Sequence, residues 1–169
     1  MVYLKAINLI DVDKEYEAII EIPENENGFV NNFSHVTKEE FINSVIPSLI
    51  EESKGINLKE GYVPSTYYFL WDDDNIVGLF KIRHYLTNSL ENGAGHIGYG
   101  ILKKYRQKGY ATKGLKLCMD ICLDLIKEDE IYLSCNKCNV PSLKVQMKCG
   151  AYIVGENDNH YLTRIKIRG

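Results

Sequence analysis

The chain has 169 residues, is 45% hydrophobic and 25% charged, and carries a formal net charge of −3. That length suits one domain spanning residues 1–169 with a real core. The composition is that of an ordinary globular chain, and the mild acidity argues against nucleic acid or an anionic membrane as a partner.

The first segment, MVYLKAINLIDVDKEYE, has no uninterrupted apolar core and no cleavage pattern, and no later stretch is apolar for long enough to cross a bilayer. The five cysteines (118, 122, 135, 138 and 149) are odd in number and confined to the C-terminal third. Together these features predict reduced thiols in a cytoplasmic protein.

In chain order, Val2 to Ile7 reads as a strand and Asp11 to Ile22 as a short helix, with Tyr16, Ile19 and Ile20 at helical spacing. The polar stretch PENENG closes that helix. Thr37-Lys38-Glu39-Glu40 is a capping-box pattern opening a helix with Phe41, Val45, Leu49 and Ile50 inward. Pro47 should kink or split it. Thr66 to Trp71 and Ile76 to His84 form a hairpin around Asp72-Asp73-Asp74-Asn75. That acidic turn lacks the alternating spacing of a calcium loop and reads as solvated. A polar connection from Leu86 leads to a strand over His96 to Leu102.

Gly109 to Lys127 is the strongest helix, with Ala111, Leu115, Cys118, Cys122, Leu125 and Ile126 as its inward stripe. Glu130 to Cys135 is a strand, Val140 to Lys148 a short helix stopped by Gly150, and Ala151 to Gly155 and His160 to Ile167 are closing strands. Strand, helix and strand between 96 and 135 make a βαβ unit with parallel pairing, and the flanking hairpins make the sheet mixed.

The turn Arg106-Gln107-Lys108-Gly109-Tyr110-Ala111 joins the strand to the long helix. Backbone N–H groups at a helix start receive phosphate oxygens. Six cations (Lys103, Lys104, Arg106, Lys108, Lys113, Lys116) fall between Ile101 and Leu117 without one acidic residue. Both features point to a pyrophosphate-bearing ligand. A dinucleotide fingerprint fails because glycines 95, 98 and 100 lie before or within the strand. A P-loop fails because Gly109 to Gly114 continues Leu115-Lys116.

The hexapeptide, with GHIGYGI before it and the long helix after it, resembles the [Arg/Gln]-x-x-Gly-x-[Gly/Ala] element of the GCN5-related N-acetyltransferase (GNAT) superfamily. Asn139-Val140-Pro141-Ser142 and Lys148-Cys149-Gly150-Ala151 look like two further family elements. The likeness covers about residues 62–151 and is nearest to a bacterial subgroup known mainly as predicted acetyltransferases. It implies an α/β (α+β) fold, with a central mixed, twisted sheet, helices on both faces and a splayed parallel strand pair.

The resemblance implies acetyl-CoA as co-substrate, with no metal, and direct transfer of an acetyl group to a primary amine. The acceptor would be a small molecule or a peptide or protein amine. The amides of Gln107, Lys108, Gly109, Tyr110, Ala111 and Thr112 would take the pyrophosphate. Ile101 and Leu102 would pair with pantetheine, while Lys103, Arg106, Asn139 and Ser142 complete the expected cofactor contacts. Lys104, Lys108 and Lys113 are further candidates for the ribose phosphate.

Gly98 and Gly100 suggest a bulge or a close backbone approach. His96 stands where relatives often place a glutamate, so it is a candidate base; a structural histidine is the alternative. Counting seven residues from Asn139 reaches Gln146 rather than the family's acidic tyrosine, leaving Tyr99, Ser142 or solvent to protonate the thiolate. Arg83 and His84 either face the acceptor or form a surface ion pair. Cys135-Asn136-Lys137-Cys138 admits a zinc or redox alternative to plain structural thiols. A non-catalytic acyl-CoA-binding module is the rival function, and homodimerisation is in keeping with the family.

Overall fold

The aromatic run over residues 65–72 and the apolar run over 75–83 build the centre of the molecule. In the computed structural model, which describes residues 1–169, they are strands β4 (Ser65–Asp72) and β5 (Asn75–Arg83) of an antiparallel hairpin. Strand β1 (Val2–Ala6) adds to one side of the hairpin and β6 (Ile97–Ile101) to the other, giving the order β1-β4-β5-β6. A second antiparallel sheet holds β7 (Glu130–Asn136), β8 (Tyr152–Glu156) and β9 (His160–Lys166) in the order β7-β9-β8.

Both faces of the first sheet are covered. Helix α1 (Val12–Glu21) and the segment α2 (Lys38–Glu40) to α3 (Ile46–Ser53) cover one face. Ile19, Phe41, Ile46, Phe69 and Leu79 are buried there, each worth about 1.5–3 kcal/mol. Thr37 caps α2 as its pattern predicts, its Oγ1 accepting from Glu40 N at 3.1 Å. Pro47 neither breaks nor sharply splits the helix. A π turn over Phe41–Val45, with Ile46 N bonding back to Phe41 O, absorbs the mismatch one turn early.

The long helix α5 (Tyr110–Leu125) covers the opposite face and spans both sheets, burying Leu115, Cys118 and Cys122 against Phe80, Ile97 and Ile131. Gly114 lets it sit close: a Cβ there would stand 2.2 Å from Phe80 Cζ. Arg168 ties off its C-terminal end, donating to the carbonyls of Ile126 at 3.0 Å and Glu128 at 2.6 Å. Short helix α4 (Asn88–Glu91) leads into β6, and α6 (Val140–Lys148) follows β7.

The βαβ pattern predicts a parallel ladder between β6 and β7. The structure shows it reduced to a junction. His96 N donates to Tyr132 O at 2.7 Å, and no ladder continues beyond it. Gly95, at φ +67°, makes the junction feasible, because a Cβ there would lie 2.1 Å from Tyr132 O. Past that point the two strands part and a cleft opens between them.

The stretch PENENG does more than close α1. With the following Phe29 and Val30 it forms a two-stranded hairpin of β2 (Asn25–Glu26) and β3 (Phe29–Val30), turned by Asn27 and Gly28 at φ +53° and +90°.

Candidate active site

Six successive backbone N–H groups, those of Gln107, Lys108, Gly109, Tyr110, Ala111 and Thr112, find no acceptor within the chain. Two causes combine. The first N–H groups of any α-helix lack an intrahelical partner. The turn before α5 also places Gln107 and Gly109 at φ +63° and +83°, which curls successive amides into a concave nest. The positive end of a 16-residue helix dipole lies behind them. This is a receptor for an anionic group with several oxygens.

The nest forms one end of a cleft of about 1230 Å³ between the splayed strands. Gly98 to Leu102 line one wall, and Ser134 to Asn136 with Asn139 and Ser142 line the other. Leu102 N donates to Val77 O at 2.9 Å on the β5 side. Alternation along β6 therefore aims the backbone groups of Tyr99 and Ile101 at the splay. Arg106 Nε donates to Ile101 O at 3.0 Å, and its guanidinium pairs with Glu26 of the small hairpin.

Tyr99 and Ser142 meet across the cleft, Tyr99 Oη lying 3.0 Å from Ser142 Oγ. Burial pushes the Tyr99 phenol up to about 12, so it keeps its proton at neutral pH. Its ring stacks on Phe80 with centroids 5.1 Å apart, which fixes the hydroxyl's position. Asn139 caps α6, its Oδ1 accepting from Ser142 N at 3.3 Å, and so sets the height of Ser142.

These features meet in one cleft: an anion nest at a helix start, a splayed strand edge and a protonated hydroxyl pair. A family model described as the acetyltransferase (GNAT) domain matches residues 11–152. The chain belongs to the GNAT acetyltransferase family.

Solved GNAT structures share its fold. The microcin C7 self-immunity acetyltransferase MccE, in complex with acetyl-CoA and AMP, superposes with a TM-score of 0.70 at 13% identity, over 98% of this chain and 92% of its own. The ribosomal-protein-S5-alanine acetyltransferase from Vibrio fischeri gives 0.69 at 19% identity, over 98% and 92%. A spermidine N-acetyltransferase SpeG chimera, from Vibrio cholerae and hSSAT, gives 0.65 at 14% identity, over 98% and 95%. No curated protein sequence matches the chain. The co-substrate of this GNAT acetyltransferase is acetyl-CoA, and the free amides at 107–112 fit its pyrophosphate.

Most of the residues singled out from the sequence line this GNAT cleft: Ile101, Leu102, Lys103, Arg106, Gln107, Gly109, Tyr110, Ala111, Thr112, Asn139, Ser142 and Tyr99. Three expectations need correction. Lys108 contributes only its backbone, for its ammonium stands 5.8 Å over the Tyr105 ring outside the cleft lining. Lys104 and Lys113 are likewise drawn off, to Glu21 and to the Tyr110 ring. At Leu102 the N–H is already spent on β5, which leaves Ile101 as the residue whose backbone faces the splay.

His96 is the third correction. It is fully buried, absent from the cleft lining, and both ring nitrogens are engaged. Nδ1 accepts from Tyr132 N at 2.9 Å, so the proton sits on Nε2, which donates to Glu128 Oε2 at 3.1 Å. Burial holds its pKa below the ordinary value, partly opposed by the Glu128 hydrogen bond. A neutral imidazole with no free lone pair is a strut between the sheets, not a base.

Gln146 replaces the family tyrosine with a structural bridge, donating to Ser134 O at 3.2 Å and accepting from Thr163 Oγ1 at 2.6 Å. Gly98 and Gly100 form no bulge, and the side chain that approaches them is Phe29, 3.1 Å from where a Gly100 Cβ would stand. Arg83 lines the cleft, while His84 bonds Thr66 Oγ1 at 2.7 Å outside it. Cys135 and Cys138 are free thiols, and Cys135 Sγ bonds the Asn139 carbonyl at 3.4 Å. No helix is long and apolar enough to cross a membrane.

The hairpin of β2 and β3 is the part of the site that the strand and helix patterns missed. Asn27-Gly28 is a strong two-residue turn signal and would have revealed it.

Proposed function

We propose that the whole chain, residues 1–169, is one GNAT domain that transfers an acetyl group from acetyl-CoA to a primary amine. The observation that carries this reading is the run of unpaired amides from Gln107 to Thr112 opening onto the Tyr99–Ser142 pair. When bound, acetyl-CoA supplies the activated thioester, and the chain supplies position and electrostatics.

The amides at 107–112 hold the pyrophosphate, with Lys103 as a point charge at the same end. The backbone N–H groups of Tyr99 and Ile101, aimed into the splay, orient the acyl carbonyl and steady negative charge on its oxygen. Tyr99 Oη, held by Ser142, donates a proton to the departing sulfur; such assistance is typically worth about 10²–10⁴ in rate. With His96 sequestered, the amine loses its proton to water at the open cleft mouth. A binding module without turnover is favoured only by that missing side-chain base.

A thiol-release assay on Tyr99→Phe tests the assignment. The expected result is a kcat lowered by about 10²-fold with acetyl-CoA affinity retained. Unchanged kcat removes Tyr99 from the chemistry, and no release by the wild type with any amine leaves the binding module.

A further inference from the structure

The end of the cleft opposite the amide nest is lined by Glu52, Lys59, Tyr62, Tyr67, Lys81 and Arg83. These come from α3, the loop after it, and the paired positions of β4 and β5, where Tyr67 faces Lys81. Lys81 lies directly across the ladder from Gly98 of β6, so this end adjoins the reacting strand.

Each carboxylate lining the cleft has a cation beside it, although the buried Glu52 Oε1 accepts no hydrogen bond. Glu21 pairs with Lys104, Glu26 with Arg106, and Glu52 with Lys81 at 3.5 Å. Arg83 has no carboxylate partner. Of its five N–H donors, one reaches the Gly95 carbonyl at 3.3 Å. Lys81 is itself half-buried and stands 5.1 Å over the Tyr67 ring, so its charge and that of Arg83 share a confined space with one acid. Burial lowers the pKa of both cations, and each feels the same carboxylate, Glu52. Two cations therefore share one carboxylate, Arg83 keeps most of its donors open, and the net positive charge left at this end favours a ligand that brings an anion.

We propose that the acceptor amine carries a carboxylate, and that Arg83 binds this group at the far end of the cleft. The inference rests on the acetyltransferase reading above and adds the acceptor's chemical class, of which amino acids are the simplest members. The planar fork of Arg83 matches two carboxylate oxygens, while Glu52 and Lys81 neutralise each other beside it.

The test is thiol release from acetyl-CoA over a panel in which each amino acid stands beside its carboxamide and its decarboxylated amine. The wild type should prefer acids over amides by about 10- to 100-fold in kcat/KM, the range of one charge-assisted hydrogen-bonding contact. In Arg83→Gln that preference should collapse to near unity, and Arg83→Lys should keep part of it. Thermal melts identify any variant that fails to fold, and calorimetry should show acetyl-CoA affinity in both within about twofold of wild type. Amides or simple amines that react as fast as the acids overturn the proposal. So does an acid preference that survives in a folded Arg83→Gln, and so does a panel with no acetylated acid. If the wild type binds acetyl-CoA and acetylates uncharged amines, only this inference fails. If it binds no acetyl-CoA, the acetyltransferase reading fails with it.

Discussion

Removing the His96 side chain separates a strut from a base. In His96→Ala the Tyr132 N–H loses its acceptor inside the protein, a penalty of about 1–3 kcal/mol. The vacated ring, fully buried and edge-on to Tyr132, leaves a cavity worth about 2 kcal/mol more. The sum is about 4 kcal/mol, or a Tm drop of roughly 8–16 °C for a chain of this size. His96→Asn sets a carbonyl oxygen where Nδ1 stood and should recover about half of that loss. Because burial holds the His96 pKa below its ordinary 6.5, wild-type stability should fall as pH drops through that value; His96→Asn should lack this limb. Melts from pH 5 to 8 and kcat/KM across the same range are the assay. Folded His96→Asn should keep kcat/KM within about tenfold of wild type, with the pH profile unchanged in shape. A variant as stable as wild type that loses about 10²-fold or more in kcat/KM, together with its acid limb, would make His96 the base and not a strut.

Two other groups give independent readouts. Glu15 is fully buried, and burial pushes its carboxyl up to about 8 although both oxygens accept from Asn8 N. Its folded-state pKa is raised, so the stability it contributes is present below its ordinary 4.5 and lost as pH rises towards 8. Glu15→Gln should therefore gain on wild type progressively as pH rises from its ordinary 4.5 towards 8, and denaturant midpoints that stay parallel across that range would exclude this. Arg168→Ala uncaps the C-terminal end of α5 and should cost about 2 kcal/mol in the same melts, an effect that Arg168→Lys should restore in part.

What could be read from the sequence was whatever is local. Thr37 capping α2, the inward stripe of Leu115, Cys118 and Cys122, and the turn ahead of α5 depend on neighbours a few residues away, and each stands where its pattern places it. The site residues went astray where a distant partner decides. His96 precedes the first ladder residue of β6, so strand alternation does not govern it, and its fate is set by Glu128 and Tyr132 more than thirty residues on. Lys104 belongs to a basic run that reads as one anion-binding patch, yet Glu21, more than eighty residues earlier, draws it aside. Pro47 signals a disruption in the helix, but not that a π turn before it would absorb the disruption. Phe29 shows no helical or strand period at all, because a two-residue strand is too short to have one.

Every step proposed for this chain depends on acetyl-CoA binding through the amides at the start of α5. Calorimetric titration of acetyl-CoA into the wild type and Gly109→Glu measures that binding. Gly109 has φ +83° and open space around its missing Cβ, so a side chain there costs only about 1–2 kcal/mol of backbone strain, yet it sets a carboxylate beside the amide nest. The wild type should bind with micromolar affinity, and the variant, still melting cooperatively, should lose at least a hundredfold. A folded wild type that binds no acetyl-CoA, or a variant that binds it as tightly as wild type, would contradict this mode of binding.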